Sequence, residues 1–140
     1  MGRSYWFECT KCGYRAKVSG QADRGLSFFV QTILCRDCRE LYDAVTRLRV
    51  PDEWERWRNL RGLHRTGLLK SRPRLTAPPS FQAVLNRLLP RGTTRFQWLP
   101  FNLQCPVSAF HRVRSWNDPD RCPKCEIYLE KSALPFRLWD

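Results

Sequence analysis

Thr46, Leu48 and Val50 alternate with Arg47 and Arg49, and Thr94, Phe96 and Trp98 alternate with Arg95 and Gln97. This period of two predicts half-buried strands. The β-branched and aromatic run Phe28 to Leu34 predicts another, running into Cys35 after a turn at Asp23-Arg24-Gly25. Ser4 to Glu8 enters a Cys-Thr-Lys-Cys run and Tyr14 to Val18 leaves it, with Gly13 allowing the turn, which reads as a hairpin. Glu40 to Ala44 suits either the continuation of a strand or a short helical turn. Ile127 to Leu129 reads as a returning strand, and the chain closes on an aromatic tail, Phe136 to Trp139, able to dock on the protein itself or on a partner.

The period lengthens in the middle of the chain. Pro51 stands where a helix would begin, Asp52 and Glu53 fall in its first turn, and Trp54, Trp57 and Leu60 recur every three residues. Leu68 to Pro79 carries three prolines and neither periodicity, the signature of a linker. Ser80 then caps a second expected helix in which Phe81, Val84, Leu85, Leu88 and Leu89 share one face until Pro90.

Seven cysteines fall into three Cys-x-x-Cys pairs and one singleton, Cys105, followed six residues later by His111. An odd count defeats a closed disulfide scheme, whereas eight Cys and His side chains make two four-coordinate metal sites. Neighbourhood in sequence suggests one site from Cys9, Cys12, Cys35 and Cys38, and a second from Cys105, His111, Cys122 and Cys125. Soft thiolate and imidazole donors point to zinc, two ions per chain, with iron as the alternative metal. Modules of about 40 residues bury too little apolar surface to fold unaided, so the metals would be structural.

The runs Cys9-Thr-Lys-Cys12-Gly13-Tyr14 and Cys122-Pro123-Lys124-Cys125 resemble the knuckles of the zinc-ribbon superfamily, which are similar to those of rubredoxin. The likeness covers about residues 4–50 and 94–131 and implies a ribbon fold rather than an activity. Arg39 and Glu126 depart from it, standing where glycine would follow the second cysteine. The expected architecture is a small, metal-stabilised α+β fold of two ribbons built from antiparallel hairpins. A four-cysteine ribbon would occupy residues 1–50 and a three-cysteine, one-histidine ribbon with the aromatic tail 94–140. A basic helical and proline-rich segment, 51–93, would join them.

The 140 residues carry a formal charge of +12. Two thiolate-rich zinc centres would reduce this only to about +9. The excess concentrates in the middle, where Arg56, Arg58, Arg61, Arg65, Lys70, Arg72 and Arg74 supply seven positive charges within 19 residues. Such a run suits phosphate contacts, so nucleic acid, DNA or RNA, is the expected partner, with the protein an accessory component of a larger complex. Tyr14, Phe28 and Trp116 are candidates for base stacking. The competing expectation is a protein-interaction adaptor or structural subunit, because six tryptophans in a chain with little core suggest exposed aromatic anchors.

No catalytic constellation is evident. None of the Cys-x-x-Cys pairs lies between a strand and a helix as redox chemistry requires, and four protein ligands per metal leave no position for substrate. Isolated His64 reads as a solvated side chain. The chain lacks a membrane-length apolar run and a signal peptide, and its paired free thiols suit a reducing compartment, so a cytoplasmic location is expected.

Overall fold

The computed structural model describes residues 1–51, 80–85 and 96–139. It is mostly antiparallel β-structure with minimal helix. The strands are β1 (Gly2–Glu8), β2 (Arg15–Val18), β3 (Ala22–Arg24), β4 (Phe28–Cys35) and β5 (Glu40–Pro51), followed by helix α1 (Phe81–Leu85). Then come β6 (Phe96–Pro100), β7 (Val113–Ser115), β8 (Glu130–Lys131) and β9 (Arg137–Trp139). The expected helix after Pro51 and the linker to Pro79 lie outside the described residues, as does the part of the second expected helix beyond Leu85. Among the described residues, no helix is long and apolar enough to cross a membrane.

Two sheets result, and both mix the ends of the chain. In the first, β1 pairs with β2 along one edge, while its other edge takes β9 beside Gly2 to Ser4 and β8 beside Phe7 and Glu8. In the second, the order is β3-β4-β5-β6, and β7 joins β4 on the edge it shares with β3, placing Val113 opposite Cys35. Segments 1–50 and 94–140 therefore interleave, in place of the two sequential ribbons expected. Strand β5 runs from Glu40 to Pro51, so Glu40 to Ala44 is extended and not a helical turn. A bulge opposite Phe29 and Val30 inserts Thr46. That shift lets Val45 join Leu48 and Val50 in the core, while Arg47 is exposed and Arg49 half-buried.

One core gathers Phe7, Tyr14, Val18, Leu34, Leu41 and Trp116 around the first hairpin. Trp116 is fully buried, meets Phe7 edge-on at 5.2 Å, and donates its indole N–H to the Arg121 carbonyl at 3.1 Å. The other core holds Phe28, Val30, Val45, Leu48, Val50, Val84 and Trp139. Trp139 stacks on Phe28 with ring centroids 4.5 Å apart. Gly2 makes room for its indole, since a side chain there would collide with the ring. The aromatic tail thus docks on the protein itself. Tyr14, Phe28 and Trp116, named above as stacking residues, are all buried, because small modules consume aromatics as core.

The short helix α1 starts as its sequence suggests. The Ser80 hydroxyl accepts the Ala83 N–H at 3.2 Å, and Val84 turns into the second core. Between the two sheets, the Asp43 carboxylate accepts the Ser19 N–H and hydroxyl and, at 2.7 Å, the Thr32 hydroxyl.

Candidate metal centres

All eight expected ligands converge, but in a different grouping. Cys9 and Cys12 meet Cys122 and Cys125, while Cys35 and Cys38 meet Cys105 and His111, and within each set the ligand atoms lie within 4.8 Å of one another. The strands dictate this exchange. Phe7 and Glu8, entering the first knuckle, pair with Lys131 and Glu130, which follow the last knuckle. Likewise β4, entering the middle knuckle, pairs with β7, which follows His111. Sequence neighbours were thus the wrong guide to partners: a knuckle joins whichever ligand pair its flanking strand brings alongside.

In the four-cysteine centre, the Cys9 and Cys125 sulfurs are 3.2 Å apart and those of Cys12 and Cys122 3.7 Å. Sulfurs about 2.3 Å from a tetrahedral metal ion sit about 3.8 Å from each other, so the set suits such an ion. Its two knuckles have the same backbone pattern. Gly13 N–H bonds to the Cys9 carbonyl at 2.9 Å and Cys9 N–H to the Tyr14 carbonyl at 2.8 Å; Glu126 N–H bonds to the Cys122 carbonyl at 3.1 Å and Cys122 N–H to the Ile127 carbonyl at 2.7 Å. The buried Tyr14 hydroxyl accepts the Leu41 N–H at 2.8 Å, fastening the knuckle to β5, and burial pushes its pKa up to about 12.

The mixed centre is built from one knuckle and one arc. His111 Nδ1 lies 3.2 Å from the Cys38 sulfur and 3.7 Å from that of Cys35, and the Cys38 and Cys105 sulfurs are 3.8 Å apart. Asp37 holds the arc in place: its carboxylate accepts the Arg112 N–H at 2.7 Å, and Arg36 N–H returns a bond to the Arg112 carbonyl at 2.9 Å. The N–H of Val107 points at the Cys105 sulfur from 3.4 Å.

Electrostatics favours a cation at both places. The backbone N–H of Cys12 outweighs burial at Cys9 and lowers its thiol to about 6. Burial acts against ionisation at Cys105, yet the N–H groups of Ser108 and Val107, with the His111 ring, hold it down to about 7. Cys38 goes the other way, pushed up to about 11 by burial and by the adjoining Cys35 and Cys105 sulfurs. Close thiols that cannot all ionise together are what a bound cation resolves, by stabilising every one as thiolate.

Each knuckle ends on a residue in the left-handed conformation: Gly13 at φ 68°, Arg39 at φ 54° and Glu126 at φ 62°. The two departures from the knuckle pattern therefore adopt glycine-like backbone despite their side chains. Arg56, Arg58, Arg61, Arg65, Lys70, Arg72 and Arg74 all lie outside the described residues, as does His64. Comparison with protein-family models, curated proteins and solved structures finds no match to this chain.

Proposed function

We propose that the chain is a non-enzymatic protein with two structural zinc ions that binds nucleic acid as an accessory component of a larger assembly. The observation carrying this reading is the charge. A formal +12 over 140 residues remains strongly positive, about +9, after two thiolate centres are counted. Each centre has four protein ligands, so a tetrahedral ion there has no position left for substrate, and its contribution is to folding. The thiolate-rich donor sets favour zinc.

Metal analysis of the purified protein should give two zinc ions per chain. Binding to single-stranded, duplex and structured RNA and DNA, measured over a salt series, should weaken linearly in log–log form as counterions are reabsorbed. Failure to bind any of them at about 50 mM salt ends this reading. Reversing Arg56, Arg58, Arg61 and Arg65 to glutamate should abolish binding if that segment is the contact surface; unchanged affinity would move the contact elsewhere.

A second reading, a protein-interaction adaptor, is favoured by apolar side chains that the fold leaves outside. Phe110 is 96% and Val107 65% exposed on the arc of the mixed centre. An apolar interface there would hold nearly constant affinity over the same salt series.

A further inference from the structure

A cleft of about 370 Å³ is lined by Arg36, Arg39, Arg114 and Arg121, and its wall also includes Glu126 and the candidate metal ligand Cys122. That volume falls in the range of small-ligand sites. Two of these arginines belong to the middle knuckle and one immediately precedes the last, so the cleft forms where a knuckle of each metal centre meets the other. Arg114 is held at 2.7 Å by Asp120, whose carboxyl also accepts the Arg121 backbone N–H. Among the described residues, Arg36, Arg39 and Arg121 have no side-chain ion pair with a carboxylate. Glu126 is the one acidic side chain on the wall. Guanidinium groups gathered around one cleft repel each other and offer several N–H donors, the arrangement that an anion with multiple oxygens satisfies.

Arg39 occupies the left-handed position that ends each knuckle. Its φ of 54° is one that glycine adopts freely and a side chain does not, and the equivalent position of the first knuckle is glycine. Glu126, on the same wall, shares that conformation at φ 62°, so the knuckle turn sets the backbone and Arg39→Gly can remove the side chain without straining it. Here the residue is an arginine that lines the cleft.

We infer that this arginine cleft is an anion site that takes a backbone phosphate of a nucleic acid. The inference rests on the nucleic-acid reading above and assigns it a contact surface separate from the Arg56–Arg74 segment. Arg36, Arg39 and Arg121 supply the phosphate contacts, and Arg114, anchored by Asp120, supplies a fixed positive wall.

The test uses the full chain with both metals bound and a fluorescein-labelled mixed-sequence oligonucleotide, single-stranded, as DNA and as RNA, read by anisotropy across a salt series. Arg39→Gly is the key variant, because it removes the guanidinium while relieving the backbone. It should bind several-fold more weakly and lower the salt slope by about 0.7 to 0.9 without melting earlier. Combined with Arg36→Ala and Arg121→Ala, the loss should reach at least tenfold at low salt. Arg3→Ala, Arg24→Ala and Arg137→Ala, an equal charge change on β1, β3 and β9, should have a much smaller effect. Wild-type affinity and slope in the cleft variants overturn the cleft and leave the nucleic-acid reading standing, whereas absence of binding by the wild type ends both. An equal loss from the control triple overturns the cleft in favour of diffuse charge. Earlier melting or lost metal, with binding per folded molecule unchanged, assigns these arginines to neutralising the thiolates and also overturns it.

Discussion

The two candidate metal centres reach the same four-ligand end by different constructions. The four-cysteine centre joins two knuckles with the same backbone pattern, 110 residues apart where Cys12 meets Cys122, and the strand pairing immediately beside it is two residues of β1 with β8, while β9 and the Trp116 core fasten the same segments farther off. The mixed centre spans less chain, and its arc is already seated by three residues of β4–β7 pairing and by the Asp37 and Arg36 bonds to Arg112. A centre whose ligands are placed by other contacts needs less from its metal. The four-cysteine centre should therefore be the one that depends more on its metal, and the mixed centre the one that tolerates change.

The largest effect should come from Cys122→Ser. Structural zinc supplies about 10–16 kcal/mol in small peptides, as much as the whole stability of a typical domain. Losing it should free the last knuckle, leave one metal per chain and remove cooperative melting of the β1–β8 sheet. Thiol labelling makes the result specific: Cys9, Cys12 and Cys125 should become reactive while Cys35, Cys38 and Cys105 stay protected. Protection of Cys9 and Cys12 with reactive Cys105 would instead restore the grouping by sequence neighbours. At the other centre, His111→Cys should keep both metals, and His111→Ala should lose only one, to a chelator concentration that leaves the four-cysteine centre loaded.

Trp116 tests what links the centres. It packs in the core that includes Cys9 and Cys122, and its backbone N–H bonds to the Thr32 carbonyl of β4 at 2.9 Å. Trp116→Ala should cost about 3–5 kcal/mol in chemical denaturation, the range for deleting a large buried aromatic. Metal should become easier to extract from the four-cysteine centre first. Equal extraction rates at the two centres would erase the proposed asymmetry.

The ligand chemistry was legible in the sequence because a knuckle is local: two cysteines, two residues between them and a turn. The hairpin at Ser4 to Val18 and the strand from Phe28 were legible for the same reason, as alternation and β-branching act over a few residues. The grouping of ligands was not, since it depends on β8 and β7, strands of two and three residues with no periodicity to announce them. Trp116 and Phe28 misled because composition cannot say whether an aromatic beside a knuckle closes a core or faces solvent. The extent of β5 was ambiguous because Glu40 and Asp43 look like solvent-facing helix residues, whereas Asp43 is consumed by Ser19 and Thr32.

Asp43 predicts a pH dependence that joins the first hairpin to the second sheet. Burial pushes its carboxyl up to about 6, against the bonds from Thr32 and Ser19 that favour the charged form. An acid whose pKa rises on folding stabilises the fold fully below its unfolded value near 4 and loses that contribution as pH climbs through 6. The loss should be on the order of 2–3 kcal/mol. Asp43→Asn does not titrate, so the stability of the wild type relative to this variant should fall between pH 4.5 and pH 7 in parallel urea titrations. Metal release at low pH is common to both proteins and cancels in the difference. A constant difference would place Asp43 in water.

The smallest effect isolates backbone cost within one centre. Gly13 and Glu126 occupy equivalent positions of the two knuckles, at φ 68° and 62°, and a side chain at Gly13 would meet open space. Sterics with the chain's own carbonyl, not packing, therefore separate the two residues. Glu126→Gly should raise stability by about 0.5–1 kcal/mol and Gly13→Ala should lower it by about the same, two shifts of opposite sign at one metal. Arg39→Gly extends the comparison to the mixed centre, with a similar gain at φ 54°. Because that arc is already pinned by β7 and Asp37, relief at Arg39 should slow unfolding without slowing metal exchange. Relief at Glu126 should slow both, since the strand pairing beside that knuckle is only two residues long.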